Sequence, residues 1–204
     1  TSVTINLELS DDGKLSGVLT RRHGGYAALD IRKKIKREGV EGYFEILQDQ
    51  FPEYILSDIK ISNLQTPDSD LVETCNILIS NGVPKTGDNY FFNPFLSFLR
   101  KGNVFSSPER QSPVDFGCPL SENYSVSLKI PDKMKILEIP GKAGLVSGNK
   151  DATWVLNPQV SGKTVKIDCR FQINKTSFAV NEYEAIRNFF TRIRQNEESL
   201  IVMK

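Results

Sequence analysis

Three stretches of regular alternation constrain this chain more than anything else in it. Val3, Ile5, Leu7 and Leu9 alternate with Thr4, Asn6, Glu8 and Ser10. Tyr124, Val126, Leu128 and Ile130 repeat the pattern, and so does the run from Val165 to Ile173. Successive side chains of a strand point to opposite faces, so a period of two puts the apolar members of each run on one side. Each run therefore reads as a half-buried strand.

The spacing around these runs predicts the remaining elements. Asp11-Asp12-Gly13 is a turn signal, because glycine accepts a positive φ and aspartate caps its own backbone, and a second strand from Leu15 to Arg22 closes a hairpin. From Tyr26 the period becomes helical, with Tyr26, Leu29 and Ile35 able to share a face and Gly39 supplying a stop. Val40, Phe44, Leu47 and Phe51 mark a second helix ended by Pro52, and strands return at Ile55 to Ser62 and Leu71 to Ser80. Residues 1–84 thus read as a strand-strand-helix-helix-strand-strand unit. The turn formers between Asn81 and Asp88 make the best internal boundary.

Residues 85–204 read as mostly β. Shorter strands are expected at Met134 to Ile139, Ala152 to Leu156 and Ser177 to Val180, and short strands with Gly- or Pro-bearing turns point to an antiparallel sandwich. Tyr183, Ile186, Phe189, Phe190 and Ile193 form a helical apolar stripe, and Leu200 to Val202 a last short strand. The expected class is α+β, mostly β.

Composition excludes several functions. A length of 204 residues with 39% hydrophobic and 25% charged side chains can bury a real core. The net charge of +1 gives no global pull toward nucleic acid or anionic lipid. No apolar run approaches the ~20 residues a bilayer-spanning helix needs. Thr1 opens directly in a strand pattern with no signal peptide, which reads as a piece of a longer polypeptide. Cys75, Cys118 and Cys169 are too few for a disulfide framework, and Cys75 and Cys169 sit in phase with apolar neighbours, as small buried residues would.

Candidate chemistry is thin. His23, the only histidine, would have to be the base of any Cys–His or Ser–His–Asp site, and its partner would be Cys118 or a serine. A zinc site would need all three cysteines as well, none of them paired at C-x-x-C spacing. Gly162-Lys163-Thr164 lacks the upstream glycine and the following helix of a phosphate-binding loop. Arg32, Lys33, Lys34, Lys36 and Arg37 read as a solvated helix face, and Asp68, Asp70 and Glu73 lack the loop of a calcium site. Asn123-Tyr124-Ser125 and Asn174-Lys175-Thr176 match glycosylation acceptors, relevant only in a eukaryotic secretory pathway. No cofactor is expected.

The most suggestive polar feature lies in Glu109-Arg110-Gln111-Ser112-Pro113-Val114-Asp115-Phe116-Gly117, an ordered loop that a buried or semi-buried ion pair of Arg110 and Asp115 could fix. Tyr90, Phe91, Phe92, Phe95 and Phe98 make a dense aromatic run that is core unless a subset is exposed. Arg110, Asp115, Tyr90 and Phe92 are therefore the candidate binding residues. Trp154, the only tryptophan, reads as a core anchor, which weakens a sugar-platform reading.

Asn93-Pro94-Phe95, the Glu109 to Gly117 segment, Tyr124 through Ile130-Pro131, and Glu182-Tyr183 with Ile186-Arg187 and Phe190 resemble the carboxy-terminal domain of bacteroidetal transglutaminase-like proteins. The likeness is best from Gly87 to Lys204 and looser from Thr1 to Ser80. Arg22, Gly25 and Tyr26 also resemble a family pattern near the first helix. The resemblance implies an exported parent with an amino-terminal β domain, a central papain-like core carrying the catalytic Cys, His and Asp, and a β-rich tail. It places the parent in the periplasm or at the cell surface. This chain would then be a non-catalytic module that supports or orients the core, or engages an envelope protein or glycan. The alternative is a carbohydrate- or peptide-binding sandwich module.

Overall fold

The computed structural model describes residues 1–96 and 105–204. Phe98, the end of the aromatic run, lies outside the described residues. The chain is α+β and mostly β. Its strands are β1 (Ser2–Leu9), β2 (Leu15–His23), β3 (Ile55–Ser62), β4 (Leu71–Ile79), β5 (Lys85–Thr86), β6 (Asn89–Phe92), β7 (Val114–Asp115) and β8 (Leu120–Lys129). After them come β9 (Ile136–Glu138), β10 (Ala143–Ser147), β11 (Ala152–Ser161), β12 (Thr164–Ile173), β13 (Ser177–Phe178) and β14 (Ile201–Met203). The helices are α1 (Gly25–Gln50) and α2 (Tyr183–Glu197).

The three alternating runs, β1, β8 and β12, lie together at the centre of one eight-stranded sheet of order β10-β11-β12-β8-β1-β2-β4-β3. Its pairs are antiparallel except β1 with β8, which run parallel with Val3 opposite Tyr124 and Leu7 opposite Leu128. The sheet therefore takes strands from both sides of the turn-rich stretch at 81–88. A four-stranded sheet, β5-β6-β14-β9, and a two-stranded pair, β13-β7, complete the β structure of the described residues.

Register carries the alternation across the sheet. Ile5 opposes Leu19, Leu19 opposes Cys75, Tyr124 opposes Cys169 and Cys169 opposes Leu156, all buried on one face. Fully burying a residue such as Leu19 or Ile167 stabilises by about 1.5–3 kcal/mol, so the pattern fixes which face is covered. Phe92, Ile201 and Met203 of the small sheet, and Ile186, Phe189, Phe190 and Ile193 of α2, join the same core. The other face carries Thr4, Asn6, Ser125, Ser127, Asp168 and Arg170 and stays open to solvent.

Two helices are predicted before β3, and they form as α1, interrupted at Gly39, where φ is 75° and ψ 172°. That backbone is outside the helical region and strains any L side chain, which is why the glycine is there. Ala28, Ile31, Ile35 and Tyr43 cover Leu71 in a small second core, while Leu47 and Phe51 enter the main one. The strands expected at Ile55–Ser62 and from Leu71 form as read. β5, β6, β7 and β10 are additions, since two to five residues are too short for a period to declare itself.

Candidate functional site

Among the described residues, a polar cluster on the covered face joins β2, β4 and α1. Glu73 lies in phase with Leu71, Cys75 and Ile77 on β4, so the sheet carries its carboxylate inward, where it is 3% exposed. His23, at the end of β2 and equally buried, places Nε2 at 2.8 Å from Glu73 Oε2. Arg21, directly opposite Glu73 in the β2–β4 ladder, brings Nη1 to 3.5 Å from the same oxygen. Tyr43, from the second half of α1, turns its hydroxyl toward this carboxylate.

The electrostatics follow from burial and pairing. Burial pushes the Glu73 carboxyl up, but the His23 hydrogen bond, the Arg21 charge and the Tyr43 hydroxyl together outweigh it and hold the group below its usual range. Burial, and then the Glu73 charge, push the Tyr43 hydroxyl well above its ordinary value. The same two causes push the Cys75 thiol up to about 11, so it is protonated and a poor nucleophile at neutral pH. His23 is in a closed site with its Nε2 engaged by a carboxylate. The cluster holds β2, β4 and α1 together.

The expected site residues do not converge with this cluster. Arg110 and Asp115 are both exposed, and no ion pair joins them among the described residues. Asp115 Oδ1 instead accepts a hydrogen bond from the Gly117 N–H at 2.8 Å, shaping the turn locally. The expectation of a buried or semi-buried pair is corrected: the loop is fixed by other contacts. Tyr183 donates to the Ser107 carbonyl at 2.7 Å, Phe116 N–H to the Thr176 carbonyl at 2.8 Å, and Phe105 and Phe116 pack on Phe190. Phe92 is fully buried, which removes it as a surface contact, whereas Tyr90 is half-buried beneath the Lys85 ammonium, 5.1 Å from its ring centroid. Phe95 and Trp154 are core residues.

Asn93-Pro94-Phe95 is an anchor. Asn93 Oδ1 accepts from the Phe95 N–H at 2.8 Å, and buried Tyr124 donates to the Pro94 carbonyl at 2.7 Å. Arg32 leaves the basic helix face: its guanidinium donates to the carbonyls of Asn63, Leu64, Thr66, Pro67 and Ser69 and so ties α1 to the β3–β4 loop. Among the described residues no three His, Cys, Asp or Glu side chains gather as a metal-ligand group, and no helix is long and apolar enough to cross a membrane. A depression of about 500 Å³ lies on the open face, with Ser2, Thr4, Asn123, Asn157, Asp168 and Arg170 in its lining. It is wide and mixed in character, with Val155 beside the polar side chains, Ser125 donating to Asp168 at 2.8 Å and Arg170 to Asn123 at 3.1 Å.

Fold and site together define a β-rich domain whose polar centre is built for packing. Residues 88–203 match the model of the domain of unknown function DUF3858, a family with a solved structure, and the chain belongs to that family. No curated protein matches the chain. Among solved structures, that of a "putative protease" from Parabacteroides distasonis aligns at 10% identity and a TM-score of 0.44, over 56% of this chain and 23% of that longer one. A likeness so slight supports no argument about fold or activity.

Sequence reading weighs His23 only as a possible catalytic base and Glu73 only beside Asp68 and Asp70, and does not bring Arg21, His23, Tyr43 and Glu73 together. The signal was present: Glu73 falls on the apolar parity of β4 and Arg21 on that of β2. A charge of each sign in inward phase on neighbouring strands marks a buried pair.

Proposed function

We propose that this chain is a non-catalytic module carried at the carboxy-terminal end of a larger, exported transglutaminase-like protein, where it supports or orients the enzyme core or engages an envelope partner. The observation that supports the reading is the extent of the family match, residues 88–203, which nearly coincides with the stretch, Gly87 to Lys204, whose sequence resembles the tails of such proteins. The chemistry agrees with it. The one imidazole is paired and closed off, and the Cys75 thiol is held protonated. A periplasmic or cell-surface setting belongs to the same proposal.

The test is an immunoblot of fractionated source cells with an antibody raised to this chain. A band far larger than 22.9 kDa in the envelope fraction supports the reading. A band near 22.9 kDa in the cytoplasm overturns it.

A second reading, a carbohydrate- or peptide-binding module, is favoured by the depression on the open face, where Asn123, Asn157, Asp168 and Arg170 offer donors and acceptors to a hydroxyl-rich or amide-rich ligand. Glycan- and peptide-array binding that is lost in Asp168→Ala would establish it. Equal binding by the variant would remove it.

A further inference from the structure

The two edges of the main sheet differ in a way that bears on assembly. β3, at one edge, slips register between Ser57 and Lys60, and Asp58 there has a φ of 54°. Its carboxylate accepts a hydrogen bond from Asn76 Nδ2 at 2.7 Å, and Lys60 follows two residues on. A bulge and charges are the usual means by which an exposed edge is kept from pairing.

β10, at the other edge, has neither a bulge nor a charge, although α2 packs against it. Its five residues, Ala-Gly-Leu-Val-Ser, carry no charge and no proline, and they pair with β11 in unbroken register. Ala143 through Val146 make no hydrogen bond beyond the β11 ladder among the described residues. Val146 stands 60% exposed on the open face, while Leu145 is anchored in the core below. An uncharged, regular, unpaired edge with an exposed β-branched residue is a template for another strand.

We infer that β10 is a homodimer edge, pairing antiparallel with β10 of a second copy to make one continuous sheet across a two-fold axis. The register follows from the pleat. Paired residues must face the same side, or one copy would turn its apolar face to water. Of the registers that satisfy this, the one centred on Leu145 pairs all five residues, placing Ala143 opposite Ser147 and Gly144 opposite Val146. A Cβ built on Gly144 would meet nothing within 4 Å, so the space over it is open to the Val146 side chain of the second copy. Lys142 falls opposite Gly148, and no like charges are opposed. This inference is independent of the proposed role beside an enzyme core.

The test is sedimentation velocity on the full chain over about three decades of concentration, since an interface this small forms a weak dimer. A concentration-dependent dimer is expected, weakened about tenfold or more by Val146→Lys, which leaves the circular dichroism spectrum unchanged because position 146 is exposed. Register is read separately, in a Cys118→Ser background, from disulfide formation between Gly144→Cys and Val146→Cys chains. The direct cross-strand pair is about 5 Å apart and the diagonal about 7–8 Å, so the mixed sample should cross-link faster than either variant alone. A monomer at every concentration overturns the inference. So does a dimer indifferent to Val146→Lys, or cross-linking with no preference for the mixture. A chain that stays monomeric yet captures an added extended peptide would assign the edge to a different partner and overturn the second copy.

Discussion

The covered face of the main sheet is closed in two different ways. Under α2 it is closed by rings: Phe105, Phe116, Phe171, Phe189 and Phe190 form a connected set with centroid separations of 4.9 to 6.4 Å, and Trp154 lies beneath, 1% exposed. Under α1 it is closed by charge: Glu73 binds His23 and Arg21, Tyr43 faces the same carboxylate, and the Arg32 guanidinium holds the adjoining loop through its carbonyls. Rings need only shape and dryness, and each edge-to-face pair adds about 0.5–1.5 kcal/mol to its burial. A buried carboxylate needs its partners in place, and it fails when one is missing. The two halves should therefore tolerate different insults.

The largest effect is expected in the aromatic half. Trp154→Ala removes a fully enclosed ring and leaves a cavity, at a cost of about 3–5 kcal/mol in urea denaturation. That loss should be flat with pH, since its cross-strand neighbours, Leu145 and Phe171, carry no titratable group. A pH-dependent loss would mean that the two halves are electrostatically coupled.

Glu73→Ala comes next, at about 3 kcal/mol at neutral pH, because it strands a buried His23 and leaves Arg21 without its partner. The pH dependence separates this half from the other. The folded-state pKa of Glu73 lies below its unfolded value, so its stabilisation is fully present above the unfolded pKa, near 4.5, and is lost as pH falls through the folded one. The stability difference between wild type and Glu73→Gln should therefore shrink as pH falls below about 5. A difference that grows on acidification would show that the carboxyl is held above its usual range.

Arg32→Ala is a smaller disturbance, about 1–2 kcal/mol, because several hydrogen bonds from one charged group are lost at a partly exposed site. Its signature is local. Amide exchange should accelerate across residues 63–70 and leave β8 and β12 protected. Arg32→Lys should not restore protection, since an ammonium cannot fan out to five carbonyls as the planar guanidinium does.

How far each half was legible in the sequence follows from the same contrast. The rings announced themselves: Ile186, Phe189, Phe190 and Ile193 are helically spaced, and Tyr124 and Phe171 fall on the alternation. Burial by period is local information. The inward parity of Glu73 and Arg21 was visible in the same way, but the two become a pair only once β2 and β4 are known to align in a register that opposes them. Arg32 looked like one of five solvated basic residues, and only the fold brings the carbonyls of 63–69 to it. Arg110 and Asp115 misled for the opposite reason. Nearness in sequence among apolar neighbours suggested a pair, yet the loop turns both outward and is fixed by Phe116, Tyr183 and backbone hydrogen bonds. The parallel join of β1 to β8 depends on a connection of more than a hundred residues and leaves no local trace.

The smallest expected effect sharpens the comparison most. Arg21→Met, His23→Leu and Glu73→Leu together would turn the charged half into an apolar one like its neighbour. If the cluster serves only to fill and hold the interface, removing all its charges at once costs nothing that removing one costs. The single change strands partners, whereas the triple change strands none, apart from the Tyr43 hydroxyl, which loses the carboxylate it faces. Stability should then lie within about 1 kcal/mol of wild type at neutral pH, despite the larger number of substitutions. A triple variant as unstable as Glu73→Ala would show instead that the polar contacts select this β2–β4 register over its slipped alternatives. Amide exchange along β4 would then report the slip, because moving the pairing by one residue turns Leu71, Cys75 and Ile77 toward solvent.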